Sequence, residues 1–159
     1  MDFNDYLIDT SDLDWDKLIE SWQWQFDPDA QVSPWLMNTF GDLFWLDERD
    51  AVHCLNVTEG TNELLASSDD EFFDLLQDED LANDWFLMGL VNEFREHHGA
   101  VPPGKCLGFK KLPIFGADYV IENIAAYSID EYWAFCGDIH HQIATLPSGT
   151  PIQFRIQRT

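Results

Sequence analysis

After Ser11 the apolar residues Trp15, Leu18, Ile19 and Trp22 return at helical spacing, which predicts a short helix with one apolar stripe. Ser11 and Asp14 stand three apart ahead of it. The same spacing joins Ser68 to Glu71 before Phe72, Phe73, Leu75 and Leu76, and Ser128 to Glu131 before Tyr132, Cys136, Ile139 and Ile143. A hydroxyl three residues before a carboxylate lets both satisfy orphan backbone N–H groups, so three helix starts are marked. A further helix is predicted over Asn83–His98, ended by Gly99, Pro102 and Pro103, and Pro147 ends the last one.

Between the first two helices, DLFWLDERDAVHCLNVTEGTNELLAS holds short apolar, β-branched or aromatic runs parted by charged or glycine-containing turns, the pattern of two successive hairpins. Similar runs return in CLGFKKLP, in DYVIENIAAYS and in the final PIQFRIQRT, where Ile152, Phe154 and Ile156 alternate with Gln153, Arg155 and Gln157. Helices and strands in this order predict an α+β fold: a largely antiparallel sheet of about five to seven strands with about four helices packed on it. No internal repeat or linker divides the chain, so residues 1–159 are expected to form a single domain.

Composition changes this picture chiefly through charge. Apolar residues make up 45% of the 159, with seven Trp and twelve Phe, enough for one core. The formal net charge is -22, and all of it belongs to the first hundred residues, where Lys17, Arg49 and Arg95 are the only Lys or Arg. Lys105, Lys110 and Lys111 sit together in the neutral remainder, with Lys110-Lys111 expected at the wet edge of a turn between strands. There they would blunt a strand edge, pair with Asp118 or Glu122, or meet a carboxylate on a partner. A field of this sign repels nucleic acid and anionic lipid and steers cationic proteins inward. The first residues carry no basic and apolar leader, and no apolar run is long enough to span a bilayer, so a cytoplasmic protein is expected.

Catalytic chemistry finds little support. Cys54, Cys106 and Cys136 are widely spaced and read as buried free thiols. The histidine pairs at 97–98 and 140–141 lack metal-binding spacing, since adjacent helical residues diverge by about 100°. DLDWDKLIE and DEDLANDW lack the glycine of a calcium loop. No nucleophile-elbow, phosphate-loop or dinucleotide signature occurs. No catalytic residue, metal or cofactor is therefore assigned. A small acidic enzyme or a carbohydrate- or ligand-binding module with an aromatic-lined cleft is the competing class.

The residues singled out for binding are Asp69, Asp70, Glu71, Asp74, Asp78, Glu79 and Asp80, which crowd one short helix and the stretch after it. Two readings are open: a patch imitating the phosphates that a cationic protein expects, or a solvated face whose early acids favour the helix N-terminus. Trp24 and Trp35 flank the loop QFDPDAQVSP and are expected to be the more exposed tryptophans, available as interface anchors.

The ordered segments DYLIDTSDLDWDKLIESWQWQF, FGDLFWLD, VHCLNVTEGTNELLASSDDEF, NDWFL, PPGKCLGFKKLPIFGADYVIENI, EYWAFCGDIHHQI and LPSGTPI resemble the bacterial type VI secretion DNase-immunity family. That family's domain, formerly of unknown function, sometimes follows a GAD-like domain. The resemblance spans about residues 3–157. It implies a cytoplasmic, non-enzymatic antitoxin that binds a secreted nuclease toxin and carries no catalytic residues; the chain is expected to be a monomer or weak dimer and, from its charge, the toxin to be basic. A complete GAD-like domain does not fit before Phe40-Gly41-Asp42, in contrast to longer members. A basic DNA-binding groove and an acidic inhibitor are complementary, so charge and resemblance point the same way.

Overall fold

The structure is a computed structural model that describes residues 3–144 and 146. Among these residues six strands and five α-helices form an α+β fold, with every strand pair antiparallel. The first helix, α1, spans Trp15–Glu20. Four strands follow as a meander in the order β1 (Ser33–Met37), β2 (Leu43–Leu46), β3 (Val52–Asn56) and β4 (Thr61–Ala66). Three helices come next: α2 (Asp69–Leu75), α3 (Glu79–Phe86) and α4 (Met88–His98). A second sheet pairs β5 (Lys105–Phe109) with β6 (Ile124–Ser128), and α5 (Ile129–Ala144) leaves directly from β6.

Several expectations change in detail. The strands divide between two sheets instead of forming one, and β1 begins inside the stretch read as a loop. Pro34 is tolerated there because β1 is an edge strand, and the register shifts between Pro34 and Leu36. The first helix is capped by Asp14, which accepts from the Lys17 N–H, while Ser11 instead donates to Asp9. Ser68 caps α2 as expected, but the Glu71 carboxylate accepts from Ser67. The single helix predicted over Asn83–His98 is two, because α3 starts at the Asp78 cap and Leu87 turns left-handed with φ 50°. The predicted last strand around Ile152, Phe154 and Ile156, and the stop at Pro147, lie outside the described residues.

Alternation along β2 explains how the core is divided. Leu43 and Trp45 face one cluster with Leu55, α1, α5 and the second sheet, whereas Phe44 faces another with Val52, Phe72 and Phe86. The central strand β2 is thus covered on both faces, which is why it reads as an apolar run, whereas β4 is largely exposed. At the β2–β3 hairpin Asp47 accepts from the N–H groups of Arg49 and Ala51 and from His53 at 2.8 Å.

The turn from Asn38 to Asp42 joins the layers. Asn38 donates to the Asp42 carboxyl at 3.0 Å and to the Trp85 carbonyl at 2.8 Å, and its Oδ1 accepts from the N–H groups of Phe40 and Asp42. Asp42 also accepts from the Val57 N–H at 3.0 Å. Trp133 donates to the Gly41 carbonyl at 2.8 Å, and the Leu107 N–H of β5 donates to the Thr39 carbonyl. One turn further along α5, Gly137 lets α1 approach, since a Cβ there would lie 2.5 Å from the Ser21 carbonyl oxygen.

Two measurements follow from this packing. Burial pushes the Asp42 carboxyl from 3.8 up to about 7, against the pull of its Asn38 and Val57 donors. The folded chain therefore keeps a proton that the unfolded chain releases. The contribution is full below about pH 4 and is lost as pH rises through about 7. Asp42→Asn sets donor against donor whichever way its amide turns, so urea unfolding should show a loss of about 1–3 kcal/mol that is largest near pH 4. Gly137→Ala forces α1 and α5 apart and should lower thermal stability by about 1–3 kcal/mol.

Candidate interaction surface

All seven singled-out acids are exposed, on α2 and on the start of α3. Part of their placement serves the fold. Asp69, Asp70 and Glu71 occupy the first turn of α2, and Asp78 caps α3 by accepting from the Asp80 and Leu81 N–H groups, with Glu79 and Asp80 next. Negative charge at a helix N-terminus is favourable by roughly 0.3–1 kcal/mol per group.

Other placements work against the fold. Asp74 sits in the last turn of α2, at the negative end of the helix dipole, where no basic residue offsets it. It also lies four residues after Asp70, a like-charge spacing that costs a few tenths of a kcal/mol, about 0.2–0.5. Among the described residues the one ion pair is His53–Asp47, so the acids of α2 and α3 are not neutralised by a neighbouring cation.

An apolar anchor stands among these acids. Phe72, Leu75 and Leu76 form the inward stripe of α2, and Phe73 falls about 100° off it and is 44% exposed. Its ring is held rather than loose, 5.7 Å from Trp35 and 5.5 Å from Phe72, both edge to face. Trp35 lies 5.3 Å from Phe72, and Trp85 of α3 stacks on Phe72 at 5.3 Å. A rigid aromatic ring inside a polar rim is the anatomy of an interface hot spot.

Trp35 is half-buried on this platform, so the structure brings it to the acids through Phe72 and Phe73. Trp24 is elsewhere. It packs with the other core cluster, between Trp22 at 5.6 Å and His141 at 5.0 Å, beside a cleft of about 360 Å³ that Glu20 and Asp138 also line. Phe73 was not singled out by sequence reasoning. The Phe72-Phe73 doublet was its signal, because one helix face cannot bury both.

The remaining titratable groups are structural. Asp42 is 3% exposed and its oxygens are held by Asn38 and Val57, so its raised pKa belongs to the core and not to a cleft. His140 is buried against the Thr58 carbonyl at 2.9 Å, and burial lowers its pKa. Burial also pushes the Cys136 thiol up to about 12, and Cys106 and Cys54 upward as well, so all three thiols are held protonated. Lys110 and Lys111 are exposed, and their backbone N–H groups donate to the Asn123 carbonyl and side chain.

Residues 66–140 match the model of a family described as T6SS immunity protein Tdi1, C-terminal. This match supports the type VI secretion immunity family for the chain. The immunity match runs from the end of β4 through α2, α3, α4 and the second sheet into α5, so it contains the acidic helices with Phe73, while Trp35 lies ahead of it. No curated protein matches the chain. Among the described residues no helix is long and apolar enough to cross a membrane.

The two phenylalanines of the immunity segment separate core from surface. Phe72→Ala should cost about 3–5 kcal/mol in chemical unfolding, because it empties the centre of the second cluster. Phe73→Ala should cost about 1 kcal/mol or less.

Proposed function

We propose that this chain is a non-enzymatic immunity protein that acts in the cytoplasm, binding and neutralising a secreted nuclease toxin through the acidic face of α2 and α3. The observation that carries this reading is Phe73, an exposed ring fixed on Trp35 and set on a helix crowded with exposed acids, of which Asp74 opposes the helix dipole. A nuclease needs a basic groove to hold the phosphate backbone, and its lysines and arginines find the same sign of charge on this face. Asp69, Asp70, Glu71, Asp74, Asp78, Glu79 and Asp80 supply steering and complementarity, and Phe73 with Trp35 supplies the desolvated anchor. Trp24, in the other cluster, lies outside this interface. The same field disfavours nucleic acid as a direct ligand.

Asp70, Asp74, Glu79 and Asp80 serve for the test, because among the described residues their carboxylates accept no hydrogen bond. The partner is recovered first, by affinity capture from the native cell extract at low and moderate salt. It should be a basic protein with a nuclease-like domain, released as salt rises. The variant Asp70→Asn, Asp74→Asn, Glu79→Gln, Asp80→Asn should then associate about tenfold or more slowly with a flatter salt dependence. Its stability should fall by about 1–3 kcal/mol at most, since Asp70, Glu79 and Asp80 lose favourable helix-start charge while the repulsion at Asp74 is relieved. Phe73→Ala should raise the dissociation rate instead. Capture of a toxin whose binding ignores all five changes would move the interface off α2 and α3.

A further inference from the structure

Along α5, Ala134, Gly137, Asp138 and His141 share one helix face, spaced three, one and three residues apart. Two of the four are small, and Gly137 lets the end of α1 come close, with Glu20 in its last turn and Trp24 just beyond. Between them lies a cleft of about 360 Å³, near the small end of ligand-binding clefts and suited to one long side chain. Glu20 and Asp138 give it charge, and among the described residues no Lys or Arg lines it. Even a proton on His141 would leave the lining net negative. Lys17, one turn before Glu20, makes no ion pair with it among the described residues.

One wall of the cleft is a stack of rings. Trp24 lies between Trp22, at 5.6 Å and 21°, and His141, at 5.0 Å and 8°. His141 is exposed, so the ring face turned from Trp24 is open to a further planar group. The Trp24 Nε1 is buried with no hydrogen-bond partner, a rare condition that calls for an acceptor. Phe135 is 46% exposed and three residues before Asp138, which places the two side by side on the helix surface. We infer that the cleft receives an arginine of a partner protein. Its guanidinium stacks on His141 and bonds to Glu20 and Asp138, a main-chain carbonyl of the same segment takes the Trp24 N–H, and an apolar neighbour covers Phe135. Arginine fits better than lysine, because a planar guanidinium stacks on rings and serves two carboxylates at once, whereas an ammonium is a strongly hydrated point charge. The site is separate from the face of α2 and α3 and stands whether or not that face binds.

The test is NMR on the full chain, following the Trp24 indole N–H signal, assigned by its loss in Trp24→Phe, as end-blocked tripeptides are added. Leu-Arg-Leu should shift it saturably, and the same peptide with citrulline, equal in shape but uncharged, should bind about tenfold or more weakly. The lysine peptide should also bind more weakly. Glu20→Gln combined with Asp138→Asn should weaken the arginine peptide about tenfold. Both side chains are exposed, so this variant should keep the parent's fold and spectrum. Phe135→Ala should remove only the advantage of Leu-Arg-Leu over Gly-Arg-Gly. Four results would overturn the proposal. One is the lack of any saturable shift. Another is equal binding of the arginine peptide and its citrulline or lysine counterpart. A third is binding indifferent to the loss of both acids. The last is tighter binding of free arginine than of the peptide, which would make the site one for the amino acid.

Discussion

The Asn38–Asp42 hydrogen bond holds the turn on which the other layers rest. Five consecutive residues from Asn38 to Asp42 are buried, so each polar group among them must find a partner inside the protein. The partners come from different elements: Trp85 of α3, Val57 in the β3–β4 connection, Trp133 of α5, Leu107 of β5, and Tyr6 near the N-terminus. One short turn thereby connects both sheets to helices on either side. Gly41 is forced at its centre, since its φ is +82° and a Cβ would lie 3.3 Å from the Cys106 sulfur. Because the carboxyl of Asp42 is fully enclosed, exchanging it for an amide of the same shape leaves two donors face to face.

What the sequence made legible follows the range of the interaction involved. Local signals were read well: the Ser68 cap, the Gly99 stop with φ +81°, and the meander of short strands. The break at Leu87 was not legible, because no glycine or proline marks it. It arises from tertiary demand, as Ala82, Phe86 and Met88 pack in one core cluster while Val91 and Phe94 further along α4 pack in the other. A residue must turn between them, and Leu87 takes the left-handed conformation that does so. The two sheets were likewise beyond the sequence, since alternation fixes which face of a strand is buried but not which strand it joins.

The candidate surface divides along the same line. A run of acids is visible in any sequence, but its meaning depends on which acids the fold uses. Asp14, Asp47 and Asp78 cap helices or close a hairpin, and Asp42 is part of the core. Asp74 has no such task, and its spacing from Asp70 makes the two repel. Reading Phe72 and Phe73 as one stripe concealed the anchor between them. A stricter helical wheel places Phe73 outside, and only the structure shows that Trp35, from a strand more than thirty residues earlier, fixes it there.

Charge in this chain is therefore not one phenomenon. The acids at helix starts, Asp69 to Glu71 among them, stabilise the fold, whereas Asp74 at the far end of α2 opposes it through the helix dipole and its repulsion with Asp70.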